Sequence, residues 1–367
     1  MHARTFAVTP VRQRHCRSSV MLSVTYSRSL VSMVVIVAVA TIWPSAESYH
    51  VDKYSLLMPN VRPKKMDLYL CTPIRIDPSK SYFIVGFEPK AHGHTSHHML
   101  LYGCSEPGSE DPVWNCGEMQ MESSKHKSYM HSNPCKSGSN IMYAWARDAP
   151  TLKLPNGVGF KVGGDSQINY LVLQVHYHRM FEDDETDNSG IYLHYTEQQL
   201  NKQAGVYLLA TNGRILPNSI EHMETSCPLF EVGKVIHPFA YRVHTHELGK
   251  VVAGYRVKNI NKNEQKWDLL GKRDPMTPQM FYPIENNITV ESGDILAARC
   301  TMESRRKTVT RIGATSDDEM CNFYVMYWVE GTEPLEQQLC VSEGSPRYYW
   351  YSDPYLTNIP DEEASIL

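Results

Sequence analysis

Residues 170–178 read YLVLQVHYH. Leu171, Leu173, Val175 and Tyr177 point one way and Gln174, His176 and His178 the other, because side chains alternate along an extended strand. The same design recurs in FAYRVHTH at 239–246, where Phe239, Tyr241, Val243 and Thr245 form an apolar face. Arg242, His244 and His246 share the opposite face. In MCNFY at 320–324, Met320, Asn322 and Tyr324 fall on one side while Cys321 turns away. The polar faces of these strands gather metal-binding and hydrogen-bonding groups, an arrangement that suits a site outside the main core.

Outward from these stretches the chain keeps the same period of two. Short alternating segments occupy 82–87, 98–102, 191–195, 206–209, 251–257, 295–300 and 323–329, with Gly, Pro, Asn and Asp between them. Many short strands separated by turn signals predict an all-β protein built as antiparallel sandwiches or barrels. The polar stretch FEDDETDNSG at 181–190 and the segment 197–204 read as connectors, which places a domain boundary near residue 200. The expected plan is an N-terminal domain at 49–200, a second at 201–345, and an aromatic, then acidic, surface tail at 346–367. A length of 367 residues accommodates two domains of ordinary size.

Composition narrows the class. Hydrophobic residues make up 42% and charged residues 21%, the profile of a globular chain. A net charge of -4 with no basic cluster argues against a nucleic-acid partner. Arg12, Arg14, Arg17 and Arg28 precede an apolar run from Leu30 to Trp43. At about 14 residues the run falls short of the roughly 18 that span a bilayer, so residues 1–48 read as a secretory signal and its preceding N-terminus. An uncleaved signal is the only membrane attachment this reading allows.

Nine cysteines are present, and Cys16 lies before the expected cleavage point. The remaining eight are Cys71, Cys104, Cys116, Cys135, Cys227, Cys300, Cys321 and Cys340, an even count that reads as four disulfides in a secreted chain. They fall in two separate groups, before residue 136 and after residue 226, so each half should be stapled by itself. Asn287-Ile288-Thr289 is a glycosylation sequon, consistent with secretion.

Sixteen histidines supply most of the candidate chemistry. Alone, an HxH pair is usually two hydrogen-bonded surface residues, and a methionine such as Met320 is ordinary core packing. Together, imidazole and thioether donors favour copper, the reduced ion above all. Two imidazoles and a thioether make a soft site with room for dioxygen, and three imidazoles make one suited to passing electrons. The doublet His97-His98 is awkward geometrically, since adjacent strand residues point to opposite faces. Both can reach one metal only at a strand end or bulge.

The runs HHMLLYGC (97–104), YAWARDAP (143–150), GVGFKVGG (157–164), LQVHY (173–177), FAYRVHTH (239–246), GDILAARC (293–300) and TSDDEMCNFYVMYW (315–328) resemble the peptidylglycine alpha-hydroxylating monooxygenase family. The resemblance covers roughly residues 55 to 340 and implies two jelly-roll-like β-sandwich domains. It implies two copper ions, with ascorbate as reductant and dioxygen as co-substrate. His97, His98 and His176 match the ligands of an electron-supplying copper, and His244, His246 and Met320 those of the catalytic copper. Arg242, Asn322 and Tyr324 match positions that hold a substrate carboxylate, while Gln174 and Tyr69 match positions near the site. The family's pairing gives Cys71–Cys116, Cys104–Cys135, Cys227–Cys340 and Cys300–Cys321. A further bridge of the vertebrate members is missing, because the connector at 187–190 reads DNSG. His92, His94 and His178 have no counterpart and read as incidental.

On this resemblance the chain hydroxylates the α-carbon of a C-terminal glycine in peptides, within the secretory pathway lumen or granules, as a monomer. A separate lyase would then complete amidation. Two other functions fit less of the sequence. A dopamine β-hydroxylase-like enzyme acting on a small amine does not need the carboxylate-binding trio. A non-catalytic secreted copper-binding protein needs neither that trio nor so full a ligand set.

Overall fold

The computed structural model describes residues 49–91, 96, 98–117, 129–146, 148–261, 264–313 and 317–367. The expected signal at 1–48 and the residues His92, His94 and His97 therefore lie outside the described residues. The first half contains β1 (Asp52–Leu57), β2 (Leu68–Arg75), β3 (Ser81–Lys90), β4 (His98–Cys104), β5 (Asn140–Ala146), β6 (Val158–Gly163), β7 (Tyr170–Tyr177) and β8 (Gly190–Thr196), of which β3, β4, β7 and β8 coincide with the alternating stretches. The second half contains β9 (Lys202–Thr211), β10 (Ile220–Pro228), β11 (Val235–His244), β12 (Gly249–Asn261), β13 (Glu264–Arg273), β14 (Ile295–Glu303), β15 (Asn322–Glu330) and β16 (Leu339–Ser342). One short helix, α1 (Asp361–Ser365), follows near the C-terminus.

In the first half, β1, β8, β3 and β6 lie side by side, and a five-stranded sheet holds β2, β7, β4 and β5. Their apolar faces share one core, with Ile84, Phe87, Leu101, Leu173 and Val175 buried in it. In the second half, β9, β15 and β11 are neighbours, and β10, β14, β12 and β13 form a four-stranded sheet. Tyr207, Val243, Val252, Leu296, Phe323 and Tyr327 fill the core there. The sandwiches thus follow from the period-two patterning, because each sheet has one apolar face to cover.

The halves are also continuous with each other. β6 pairs with β9 in parallel, Val158 beside Lys202 and Gly159 beside Gln203, so an 11-stranded sheet runs across residue 200. The first core extends into the second half through Ala204, Val206, Ala240, Tyr324 and Met326. Residues 49–367 accordingly form one compact unit.

Four disulfides close the halves, Cys71–Cys116 and Cys104–Cys135 in the first, Cys227–Cys340 and Cys300–Cys321 in the second. The C-terminal segment departs from the expected surface tail. Trp350, Leu356 and Ala364 are buried against Ala253, Tyr255 and Val257 of β12. Aromatic residues in a polar segment have apolar area to bury, and the outer face of the four-stranded sheet accepts it. Among the described residues no helix is long and apolar enough to cross a membrane.

Candidate active site

One wall of the site is the outer face of the five-stranded sheet. β7 runs between β2 and β4, which sets His176 opposite His98 on one side and Tyr69 on the other. The rings of His98 and His176 lie 4.8 Å apart, centroid to centroid. Tyr69 stacks on His176 at 4.1 Å with the planes 3° from parallel. Nε2 of His176 is 3.2 Å from a carboxylate oxygen of Asp67. A carboxylate accepts, so Nε2 carries the proton and Nδ1 the lone pair that can bind a metal. His98 is the first residue of β4, which supplies the strand end that the histidine doublet requires.

The facing wall comes from β11 and β15. Their register pairs Arg242 with Tyr324 and His244 with Asn322, so alternation and pairing together assemble one face. Gln279 organises it. Its side-chain nitrogen donates to the carbonyls of Thr245 and Pro275, 3.0 Å each, which fixes the amide orientation. Its Oε1 lies 2.5 Å from Nδ1 of His244. Nδ1 must therefore carry the proton, and Nε2 is the metal-competent nitrogen. His246 is fixed likewise, with Nδ1 3.0 Å from the carbonyl of Asp318.

Glu319 joins the two ligand-bearing segments from behind. Its carboxylate is fully buried and accepts the backbone N–H groups of His246, Glu247 and Leu248 at 2.9, 2.7 and 2.6 Å. The N–H of Met320 donates to it at 3.2 Å. One side chain thereby holds the turn after β11 against the residue that precedes the Cys300–Cys321 bridge. In front, the Asn322 amide nitrogen is 3.8 Å from the Met320 sulfur and 3.4 Å from the Tyr324 hydroxyl.

Both walls border one cleft of about 450 Å³, lined by His98, His176, Gln174, Arg242, His244, His246, Met320, Asn322 and Tyr324 among others. His178, read from sequence as incidental, also stands on its rim, exposed to solvent. The polar faces are less open than expected, since Gln174, Arg242 and Asn322 are all buried. Each wall covers the other, which single-strand patterning cannot anticipate. Gln174 donates its amide to the carbonyl of Gly117 at 3.1 Å.

Arg242 is the electrostatic centre of the cleft. It is 5% exposed, and its Nε donates to the Gln279 carbonyl at 2.8 Å. Its guanidinium carbon lies 5.0 Å from the Tyr324 ring centre. Among the described residues no carboxylate forms an ion pair with it. Burial pulls its pKa down from the usual arginine range, with Tyr324 and Tyr102 partly opposing the shift.

Among the described residues no three His, Cys, Asp or Glu side chains converge on one point. What converges is two imidazole pairs, one of them beside a thioether. That donor set, with tautomers fixed by carboxylate, amide and carbonyl partners, fits copper better than a hard cation. The sequence-derived candidates His98, His176, Gln174, Arg242, His244, His246, Met320, Asn322 and Tyr324 thus meet in one cleft. Asp67, Gln279, Glu319 and Tyr102 contribute without having been singled out from the sequence. Glu319 and Tyr102 had a signal, one adjoining Met320 and the other two alternations beyond His98. Gln279 sits in a loop with none.

Comparison with known proteins gives a consistent result. The N-terminal domain model of the copper type II ascorbate-dependent monooxygenases matches residues 54–184, and the C-terminal domain model matches 202–353. Peptidyl-glycine alpha-amidating monooxygenase A of Xenopus laevis is 39% identical over 320 residues, 86% of this chain and 32% of that protein. The Rattus norvegicus peptidylglycine alpha-amidating monooxygenase is 41% identical over 308 residues, 83% of this chain and 29% of that protein. Dopamine beta-hydroxylase of Homo sapiens is 25% identical over 331 residues, 79% of this chain and 51% of that protein. The chain spans about a third of the length of the amidating relatives.

Proposed function

This chain belongs to the copper type II ascorbate-dependent monooxygenases, and we propose that it hydroxylates the α-carbon of a C-terminal glycine in peptides. One observation carries the substrate class: Arg242, a buried guanidinium with no carboxylate partner among the described residues. Burying an unpaired charge is costly, and a ligand carboxylate offsets that cost in a bidentate grip. A small amine offers no such group.

In this reading His97, His98 and His176 hold one copper, and His244, His246 and Met320 hold the other. Copper bound there supplies the redox chemistry by which ascorbate and dioxygen place one oxygen atom in a C–H bond. Ascorbate gives two electrons, two protons are taken up, and the second oxygen atom leaves as water. Arg242, with Asn322 and Tyr324 beside it, fixes the carboxylate, so the adjacent α-carbon faces the His244, His246 and Met320 side of the cleft. Such positioning lowers the barrier by removing orientational freedom before the reaction. Gln174 lines the space between the walls. The product is a hydroxyglycine, and a lyase-type reaction must follow to release the amide.

We place the boundary between the two copper-binding halves near residue 200, in the interval the two family matches leave between them. Four disulfides and the exposed Asn287 of the sequon support passage through an oxidising secretory compartment, with Asn287 glycosylated and residues 1–48 acting as signal. Monomeric storage in granules is the finer form of this proposal.

The test is to incubate copper-loaded protein with ascorbate and a dansylated peptide ending in glycine, then weigh the product. Copper-dependent gain of one oxygen at the terminal glycine is the expected result. An inert peptide alongside an oxidised phenethylamine would replace this reading with the amine one. Stoichiometric copper with neither product would leave a copper-binding protein.

A further inference from the structure

Tyr102 stands on the first-half wall of the cleft but faces the machinery of the second half. His98, Leu100 and Tyr102 alternate along β4, so all three project from the same side, and all three line the cleft with Arg242 and Tyr324. Tyr102 lies beside Val172 of β7 and Ile141 of β5, and the ladder shifts register between Leu101 and Tyr102. Only 4% of the residue is exposed. Even so, no hydrogen bond joins its hydroxyl to any other described residue, whereas the Tyr324 hydroxyl accepts from Asn322. Burial raises the Tyr102 pKa, Tyr324 adds to the rise, and the charge of Arg242 opposes it. The group is therefore a neutral O–H donor at any working pH, within electrostatic reach of the guanidinium.

The hydroxyl opens on the cleft, so a ligand acceptor there can take the place of water and fix it by a hydrogen bond. A carboxylate has about four lone-pair sites, more than one bidentate guanidinium fills. We infer that Tyr102 is a specificity-determining residue of this site, its hydroxyl donating to the same terminal carboxylate that Arg242 holds. The two halves then grip one chemical group from opposite walls, and ligand binding ties them together. The inference rests on the proposed reading of the cleft as a glycine-extended peptide site.

Tyr102→Phe removes one oxygen and keeps the ring that packs with Tyr69 and Val172. Dissociation constants are measured on copper-loaded protein without reductant, for a peptide ending in glycine and for the same peptide with its terminus converted to a carboxamide. KM and kcat are measured in parallel. For Tyr102→Phe we expect about tenfold weaker binding of the free-acid peptide, unchanged binding of the carboxamide, and kcat within about twofold. Equal loss for both peptides would make Tyr102 a packing residue and overturn the inference, as would no loss for either. If the unsubstituted protein fails to prefer the free acid, the reading of the cleft falls, and the inference with it.

Discussion

At the scale of single residues, Gln279 does the most with the least signal. Its backbone carbonyl holds Arg242 while its side chain fixes the tautomer of His244, so one loop residue serves both metal binding and carboxylate binding. Gln279→Leu keeps the carbonyl and removes the amide. Copper affinity or turnover should then fall about 10–100-fold, the usual cost of losing an outer partner of a ligating histidine. A competitive copper titration checks this, with loss confined to one of two bound equivalents. Arg242 and His244 were legible in the chain because they share a strand face, and His246 because it continues the alternation just past the end of β11. Gln279 was not, since 35 residues separate it from His244 and only the folded loop brings it back. Glu319 is an intermediate case: it adjoins Met320 in sequence, but its role appears only when the turn at 246–248 closes over it.

At the scale of strands, register is the organising fact. Pairing of β11 with β15 places Arg242 beside Tyr324 and His244 beside Asn322, and a slip by one residue would turn every one of these side chains to the opposite face. The apolar face beneath holds that register. Phe323, fully buried, stacks on Tyr241 with ring centres 5.6 Å apart and covers Gly254 of β12 so closely that a Cβ there would overlap its ring. Gly254→Ala should therefore destabilise the fold by about 1–3 kcal/mol, as overpacking does in a full core. Denaturant unfolding measures the change. Because Phe323 lies between Asn322 and Tyr324, the same substitution should also raise KM for the peptide. The strands that carry most of the site, β4, β7, β11 and β15, were readable from alternation. β10 and β13 were not singled out, because charged residues interrupt their apolar faces (IEHMETSCP and EQKWDLLGKR).

At the scale of the molecule, the C-terminal segment is part of the second sandwich. Trp350 is fully buried, its indole N–H donating to the Thr225 carbonyl at 3.1 Å and its ring lying 4.6 Å beneath the Arg299 guanidinium. Arg299 itself is buried with Glu224 and reaches Asp361 at 2.6 Å, which locks α1 to the sheet. Burial works to raise the Glu224 pKa while Arg299 works to lower it, and the balance is a rise. Trp350→Ala should cost about 3–5 kcal/mol by leaving a cavity over this pair. Thermal unfolding checks the loss. Copper binding by the surviving folded protein should be unchanged, because Trp350 does not border the cleft. A polar, acidic tail conceals this docking in sequence, since three separated apolar residues carry it and their partners lie about a hundred positions earlier.

The amino-acid sequence by itself determined the class of the fold and the identity of most donors. Side-chain alternation is a local property, and imidazole, thioether and guanidinium chemistry belongs to each residue wherever it stands. Only the tertiary structure decided that the two polar faces close on each other. It alone aligned His244 with Asn322 and Arg242 with Tyr324, and it set the proton on Nδ1 of His244 and His246. These outcomes depend on register, on buried carbonyls and carboxylates from distant loops, and on the packing of one sandwich against the next. Such terms arise between segments far apart in the chain, so no local pattern records them.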